Sequence, residues 1–170
     1  MKTIKKALVV VALAFGMVSM TQAQDKLVAH INTQELVQAM PSYQNALSEI
    51  EKLSKTYETQ ISELGTEYQK TLERYGREAE QQTDEENLRR QQELQETQQN
   101  IVQFQQNARQ KVGEKQEELL KPVLEKARVT IIKVSKAKGF KYVFDSSPGA
   151  GLILAEGFDL MNDVKADLGI

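Results

Sequence analysis

Between Ala46 and Ala79 the apolar positions are Ala46, Ile50, Leu53, Tyr57, Ile61, Leu64, Tyr68, Leu72, Tyr75 and Ala79, and each recurs eleven residues on. That period, about 3.67 residues, predicts one long and nearly straight amphipathic helix. Pro41 disfavours helical geometry at the residue before it and suits a first turn, so the helix is expected to start near Ser42. Gly65 and Gly76 cost about 1 kcal/mol each against alanine and mark places where it can bend. Thr83-Asp84-Glu85-Glu86 is a capping box, in which the Thr83 hydroxyl takes the Glu86 amide and the Glu86 carboxylate reaches back. A second helix follows through Leu88, Leu94, Ile101, Phe104, Ala108, Val112 and Leu119 until Pro122. Glutamines fill its middle and thin its apolar stripe. Two helices of matching length, roughly 55 to 60 Å each, predict an antiparallel hairpin over residues 42–121 with its tip near 80–83.

The flanks read differently. Leu27-Val28-Ala29-His30-Ile31 has the composition of a short strand, with His30 an ordinary strand residue. Asn32 and Glu35 cap a brief helix whose apolar face is Leu36, Val37 and Met40. Beyond Pro122 a further amphipathic helix carries Val123, Leu124, Ala127, Ile131 and Val134 and should stop at Gly139. Lys141–Asp145 and Leu152–Ala155 read as strands of an antiparallel hairpin around the turn-rich residues 146–151, with Asp145 suited to turn capping. Asn162–Leu168 is expected to form a last helix.

The predicted fold is thus mainly α, with a small β body drawn from residues 24–41 and 122–170 and a helical hairpin arm. A body of roughly 60 residues buries too little surface to be comfortably stable, so several copies should join their strands into one core. Val28, Ile31, Tyr142, Val143, Phe144, Leu152 and Ile153 are the candidates for that contact.

Residues 1–23 alter the charge balance. Lys2, Lys5 and Lys6 precede the apolar run Ala7–Val18 and the small-residue end Thr21-Gln22-Ala23, the layout of a secretory leader cleaved after Ala23. Its loss takes three of the 22 basic residues and none of the 24 acidic ones, leaving a net charge of −5. An acidic chain is a poor fit to nucleic acid, whose affinity comes from clustered Lys and Arg. No cysteine and a single histidine, His30, leave no disulfide framework and no transition-metal or Ser-His set. Adjacent carboxylates such as Glu85-Glu86 and Glu117-Glu118 do not face one another on a helix, so catalysis has no raw material here.

The order of short motifs carries a resemblance: Val28-Ala29-His30-Ile31-Asn32, Glu35-Leu36, Met40-Pro41-Ser42-Tyr43, two long helices, Lys121-Pro122, Lys138 through Asp145 and Asp159-Leu160. It resembles the Skp/OmpH family of periplasmic chaperones over essentially the whole chain after the leader. The resemblance implies a homotrimer with a β-rich body and three helical arms around a cavity. It also implies that the cavity holds unfolded outer-membrane β-barrel proteins without ATP, cofactor or catalytic residue. Candidate client contacts on the arms are Tyr57, Ile61, Tyr68, Leu72, Tyr75, Ile101 and Phe104. The same side chains can instead form the seam between the helices, with tyrosines at its edge the exceptions. Known members are strongly basic and linked to anionic lipid or lipopolysaccharide, whereas this chain is acidic, so lipid binding is not carried over. An adaptor coiled coil bridging envelope components is the alternative, but no docking tip or accessory domain is visible for it.

Overall fold

The structure, a computed structural model, describes residues 27–170. The expected leader lies outside the described residues. The fold is mainly α with one small sheet. Its elements are β1 (Val28–Ile31), α1 (Thr33–Ala39), α2 (Pro41–Glu78), a 3-10 turn (Ala79–Gln81), α3 (Asp84–Ala137), β2 (Tyr142–Asp145), β3 (Phe158–Asp159) and α4 (Met161–Leu168). They fall into two compact units: Met40–Leu124, and the residues through Ala39 together with Glu125–Ile170.

Local chemistry sets most helix ends. Pro41 occupies the first turn of α2. The Glu35 amide donates to Asn32 Oδ1 at 3.0 Å, and the Glu86 amide donates to Thr83 Oγ1 at 3.2 Å, each satisfying one of the orphan donors of a first turn. The box at Thr83 is only half closed. The Glu86 carboxylate does not reach back but turns to Arg89 and Arg90, because two guanidinium partners outweigh one backbone amide. Gly139, at φ 86°, ends α3 with the Phe140 amide donating to the Ser135 carbonyl and its own amide to the Lys136 carbonyl, a closure that needs a left-handed residue.

Pro122 does not end a helix. It lies inside α3, which runs on to Ala137, so the separate helix expected after it is the same helix and the two long helices differ in length, 38 against 54 residues. A proline inside a helix removes one amide and crowds the carbonyl four residues back, here that of Glu118. Pro122 is exposed, which leaves that carbonyl open to water. The buried positions Val123, Ala127, Thr130 and Val134 keep helical spacing straight through it, and this buried stripe outweighs the local penalty.

The sheet differs from expectation in partner and direction. β1 is central, and β2 and β3 flank it, both parallel to it. Leu152–Ala155 is not a strand; β3 is only Phe158–Asp159. A tight hairpin would have placed the third strand antiparallel beside β2. Instead Ser147-Pro148-Gly149-Ala150 forms a turn closed by the Ala150 amide on the Ser147 carbonyl, with Gly149 at φ 86°. The chain then crosses to the far edge of β1, where the Leu160 amide donates to the His30 carbonyl at 3.0 Å.

The core of this unit lies on one face of the sheet. Ala29 and Ile31 are buried on it, and among the described residues Leu36, Val37, Ala127, Val134, Phe140, Leu160, Met161 and Val164 are the unit's other buried apolar residues. Phe140 packs on Phe158 with ring centroids 5.0 Å apart. Lys133–Asp167 and Lys138–Asp163, at 2.6 and 2.7 Å, tie α4 to the last turns of α3.

Candidate functional site

In the unit Met40–Leu124, α2 and α3 run antiparallel on either side of the tip. Tyr75 Oη donates to Glu93 Oε1 at 3.1 Å, and farther from the tip Tyr57 meets Phe104 edge-on, centroids 6.0 Å apart. The seam is thin. Only Met40, Ala46, Ala108 and Val123 are buried in this unit; its other apolar residues are half-covered or exposed.

Six of the seven arm residues singled out from the sequence, Tyr57, Ile61, Tyr68, Tyr75, Ile101 and Phe104, are half-buried along this seam. Leu72 is the exception, 40% exposed. A straight α-helix drifts by about 20° for every eleven residues against a strict repeat, and by the third repeat Thr71 rather than Leu72 faces the partner helix. Tyr57 and Tyr75 each touch the opposite helix. Leu88, read as a seam residue, is 57% exposed, and the facing row begins with Asn87 and Arg90.

The tip carries a polar cluster that periodicity does not reveal. The Arg90 guanidinium stacks on the Tyr75 ring at 4.5 Å, and Arg74 lies 5.2 Å from the same ring. Arg90 Nε donates to Glu86 Oε1 at 3.1 Å. Its Nη1 lies 3.0 Å from Glu78 Oε2, an ionic contact without hydrogen-bond alignment. Hydrogen bonds from Arg89 and then Arg90 hold the Glu86 carboxyl down to about 2. Asn87 Nδ2 donates to the Ala79 carbonyl at 2.9 Å, beside the Gln82 amide at 3.3 Å, and so fastens α3 to the turn that ends α2. The sequence signal for this cluster is the balance of Arg74, Arg77, Arg89 and Arg90 against Glu73, Glu78, Glu80, Asp84, Glu85 and Glu86 near the tip, which does not say which of them meet.

Between the two helices, towards the middle of the hairpin, lies an open cleft of about 560 Å³. Tyr57, Ile61, Ala108 and Val112 form its apolar wall, Ser54, Glu58, Gln105, Arg109 and Gln116 its polar rim, and Gly113 borders it.

The sheet unit presents a second apolar surface. Alternation along β1 and β2 sends Ala29, Ile31, Val143 and Asp145 to the inner face and Val28, His30, Tyr142 and Phe144 to the outer. Val28, Tyr142 and Phe144 are exposed, as are Leu152, Ile153 and Leu154, with Ile153 wholly so. Among the seven residues expected at a subunit contact, Ile31 is therefore a residue of the unit's own core, and Val143 is half-buried beside it.

Where β1 ends, Asp145 gathers four donors. Oδ2 accepts from Thr33 Oγ1 at 2.7 Å, and Oδ1 accepts from Ser147 Oγ at 2.6 Å, the Ser147 amide at 2.9 Å and the Thr33 amide at 3.2 Å. Burial opposes its charge, but the bonds from Ser147 and Thr33 prevail and hold the carboxyl down to about 2. His30 Nδ1 lies 3.3 Å from Ser146 Oγ and does not touch Asp145, so the cluster fastens a turn rather than forming a relay. Among the described residues no group of acidic, histidine or cysteine side chains gathers to hold a metal, and no helix is long and apolar enough to cross a membrane.

Comparison with known proteins places these features. The family model described as outer membrane protein (OmpH-like) matches residues 27–168. Among solved structures, the chain is similar to a protein of Caulobacter crescentus CB15 described as an outer membrane chaperone (OmpH-like), at a TM-score of 0.74 and 13% identity. That match covers 83% of this chain and 82% of the other. No curated protein matches the chain.

Proposed function

Since the chain belongs to the OmpH-like family, we propose that it is an ATP-independent periplasmic holdase that binds unfolded outer-membrane β-barrel proteins and keeps them from aggregating in transit. The observation that carries this reading is the sparse burial of the helical hairpin. A unit of two long helices with four buried side chains leaves Leu47, Leu64, Leu72, Leu88 and Val102 accessible. An unfolded barrel strand exposes apolar side chains and unpaired backbone that would otherwise pair with another copy. Scattered apolar contacts, each weak, can shield such a strand and still let it go without fuel. The chaperone description of the Caulobacter crescentus protein of the same fold supports the reading.

Assembly is part of the proposal. All-parallel sheets are almost always covered on both faces, and here the outer face of Val28, Tyr142 and Phe144 is open. A homotrimer that joins these faces, together with Leu152 and Ile153, would cover them.

The experiment is light scattering coupled to size exclusion on residues 24–170, alone and with a urea-unfolded outer-membrane barrel protein. A trimer that keeps a client soluble is the expected result. A stable monomer that lets the client aggregate overturns the proposal. Because the chain is acidic, client binding is expected to change little between low and physiological salt, and a steep loss would contradict capture by apolar contact.

A further inference from the structure

The cleft between α2 and α3 has a glycine that backbone geometry does not require. Gly113 sits in a helix interior at negative φ, and a Cβ there would meet nothing within 4 Å. Glycine in such a place costs about 1 kcal/mol against alanine, and here it relieves no clash. What it supplies is room beside Val112 and Ala108.

The rim of the cleft is polar, and its side chains are unpaired, as are many others along the arm. Among the described residues the side chains of Ser54, Glu58, Gln105, Arg109 and Gln116 make no hydrogen bond or ion pair, while the neighbouring charges Lys111–Glu114 and Lys115–Glu118 are paired at 2.8 Å. Five unspent polar groups around an apolar wall, in a cleft of about 560 Å³, have the make-up of a ligand site of small-molecule size.

Charge selects the occupant. One carboxylate and one guanidinium at the rim favour a ligand that is neutral overall and presents donors and acceptors in alternation. The backbone of an extended peptide does this, with N–H groups for Glu58 and carbonyls for Arg109. The wall favours an aromatic side chain, since Tyr57 offers a ring already set edge-on to Phe104 and an aromatic group fills such a space with little rotamer entropy lost. We infer that this cleft is a subsite for one aromatic side chain of an extended, unfolded polypeptide, whose flanking amides bond to the rim; the inference rests on the holdase reading above.

The chain contains no tryptophan, so the emission of a tryptophan in a peptide reports binding without background. The probe is a short peptide alternating valine and threonine around one central tryptophan, titrated with the mature chain. Gly113→Leu fills the cleft with a better helix former. It is expected to weaken binding by about tenfold or more while the melting temperature holds or rises. Gly65→Leu, in an equally roomy helical position away from the cleft, is expected to raise helix stability and leave binding alone. Arg109→Gln removes only a rim group and is expected to weaken binding several-fold with the fold intact. If the wild-type chain suppresses client aggregation but Gly113→Leu and Arg109→Gln both bind the peptide as it does, the cleft assignment is overturned and the holdase reading stands. A wild-type chain that suppresses aggregation without binding the peptide has the same meaning. A wild-type chain that does neither overturns both.

Discussion

Asp145→Asn keeps the side chain's shape and removes its charge, which isolates what the carboxylate does at the junction of β1 and α1. In the native protein the four donors from Thr33 and Ser147 hold the carboxyl at about 2 instead of its ordinary value of about 3.9. At about 1.4 kcal/mol per pKa unit, that lowering is a differential stabilisation of roughly 2 kcal/mol, reduced to about 1–2 kcal/mol by water around the half-exposed carboxylate. The sign follows from linkage. A carboxylate with a depressed folded pKa contributes stability that is present above its unfolded pKa, near 4, and is lost as pH falls towards about 2. Urea unfolding of wild type and Asp145→Asn across this range should therefore show a gap of about 1–2 kcal/mol at neutral pH that closes between about pH 4 and pH 2. Near pH 2 the protonated acid and the amide are close to equivalent. A gap that persists unchanged at acid pH, or no gap at neutral pH, would refute the assignment of charge-assisted bonding to this residue.

Other substitutions test separate parts of the structure. Leu160→Ala removes a fully buried side chain from a small core and should cost about 2–5 kcal/mol, seen in thermal melts as early unfolding of the sheet unit. Thr83→Ala deletes the cap on the Glu86 amide and should cost about 1 kcal/mol, read as faster amide exchange at the start of α3 with the rest of the hairpin unchanged. Pro122→Ala restores the donor towards the Glu118 carbonyl inside a continuous helix and should raise the melting temperature, by up to about 3 kcal/mol in stability; a loss of stability would mean that the proline relieves a constraint elsewhere.

Features set by neighbours in sequence were legible before the structure. Asn32, Thr83 and Gly139 each act within four residues, and each marks a helix end as read. Periodicity located the facing rows of the hairpin, but it assumes a strict repeat, so it misassigned Leu72 and Leu88 where the real helices rotate away from it. The sheet was least legible. Leu152–Ala155 has strand composition, yet strand pairing is decided by what lies alongside, and β1 takes both of its neighbours from more than a hundred residues away. Pro122 shows the reverse, a strong local signal overridden by a stripe of buried contacts. The cleft, and the contacts of Arg90 with Tyr75 and Glu78 at the tip, could not be read because they depend on which residues of α3 face which residues of α2, a register that neither helix specifies alone.

The long reach of the sheet has a temporal side. Thr33 and Asp145 are 112 positions apart, and β1 has no strand partner among the described residues until β2 and β3 are made. A chain synthesised from its amino end presents β1 first and must hold it unpaired while both long helices are made. Closing so wide a loop is slow compared with forming helices, so the hairpin can form early while the sheet waits for residues 142–160. Any chain cut short before that point has helices but no sheet, so the sheet unit can close only once synthesis is nearly complete.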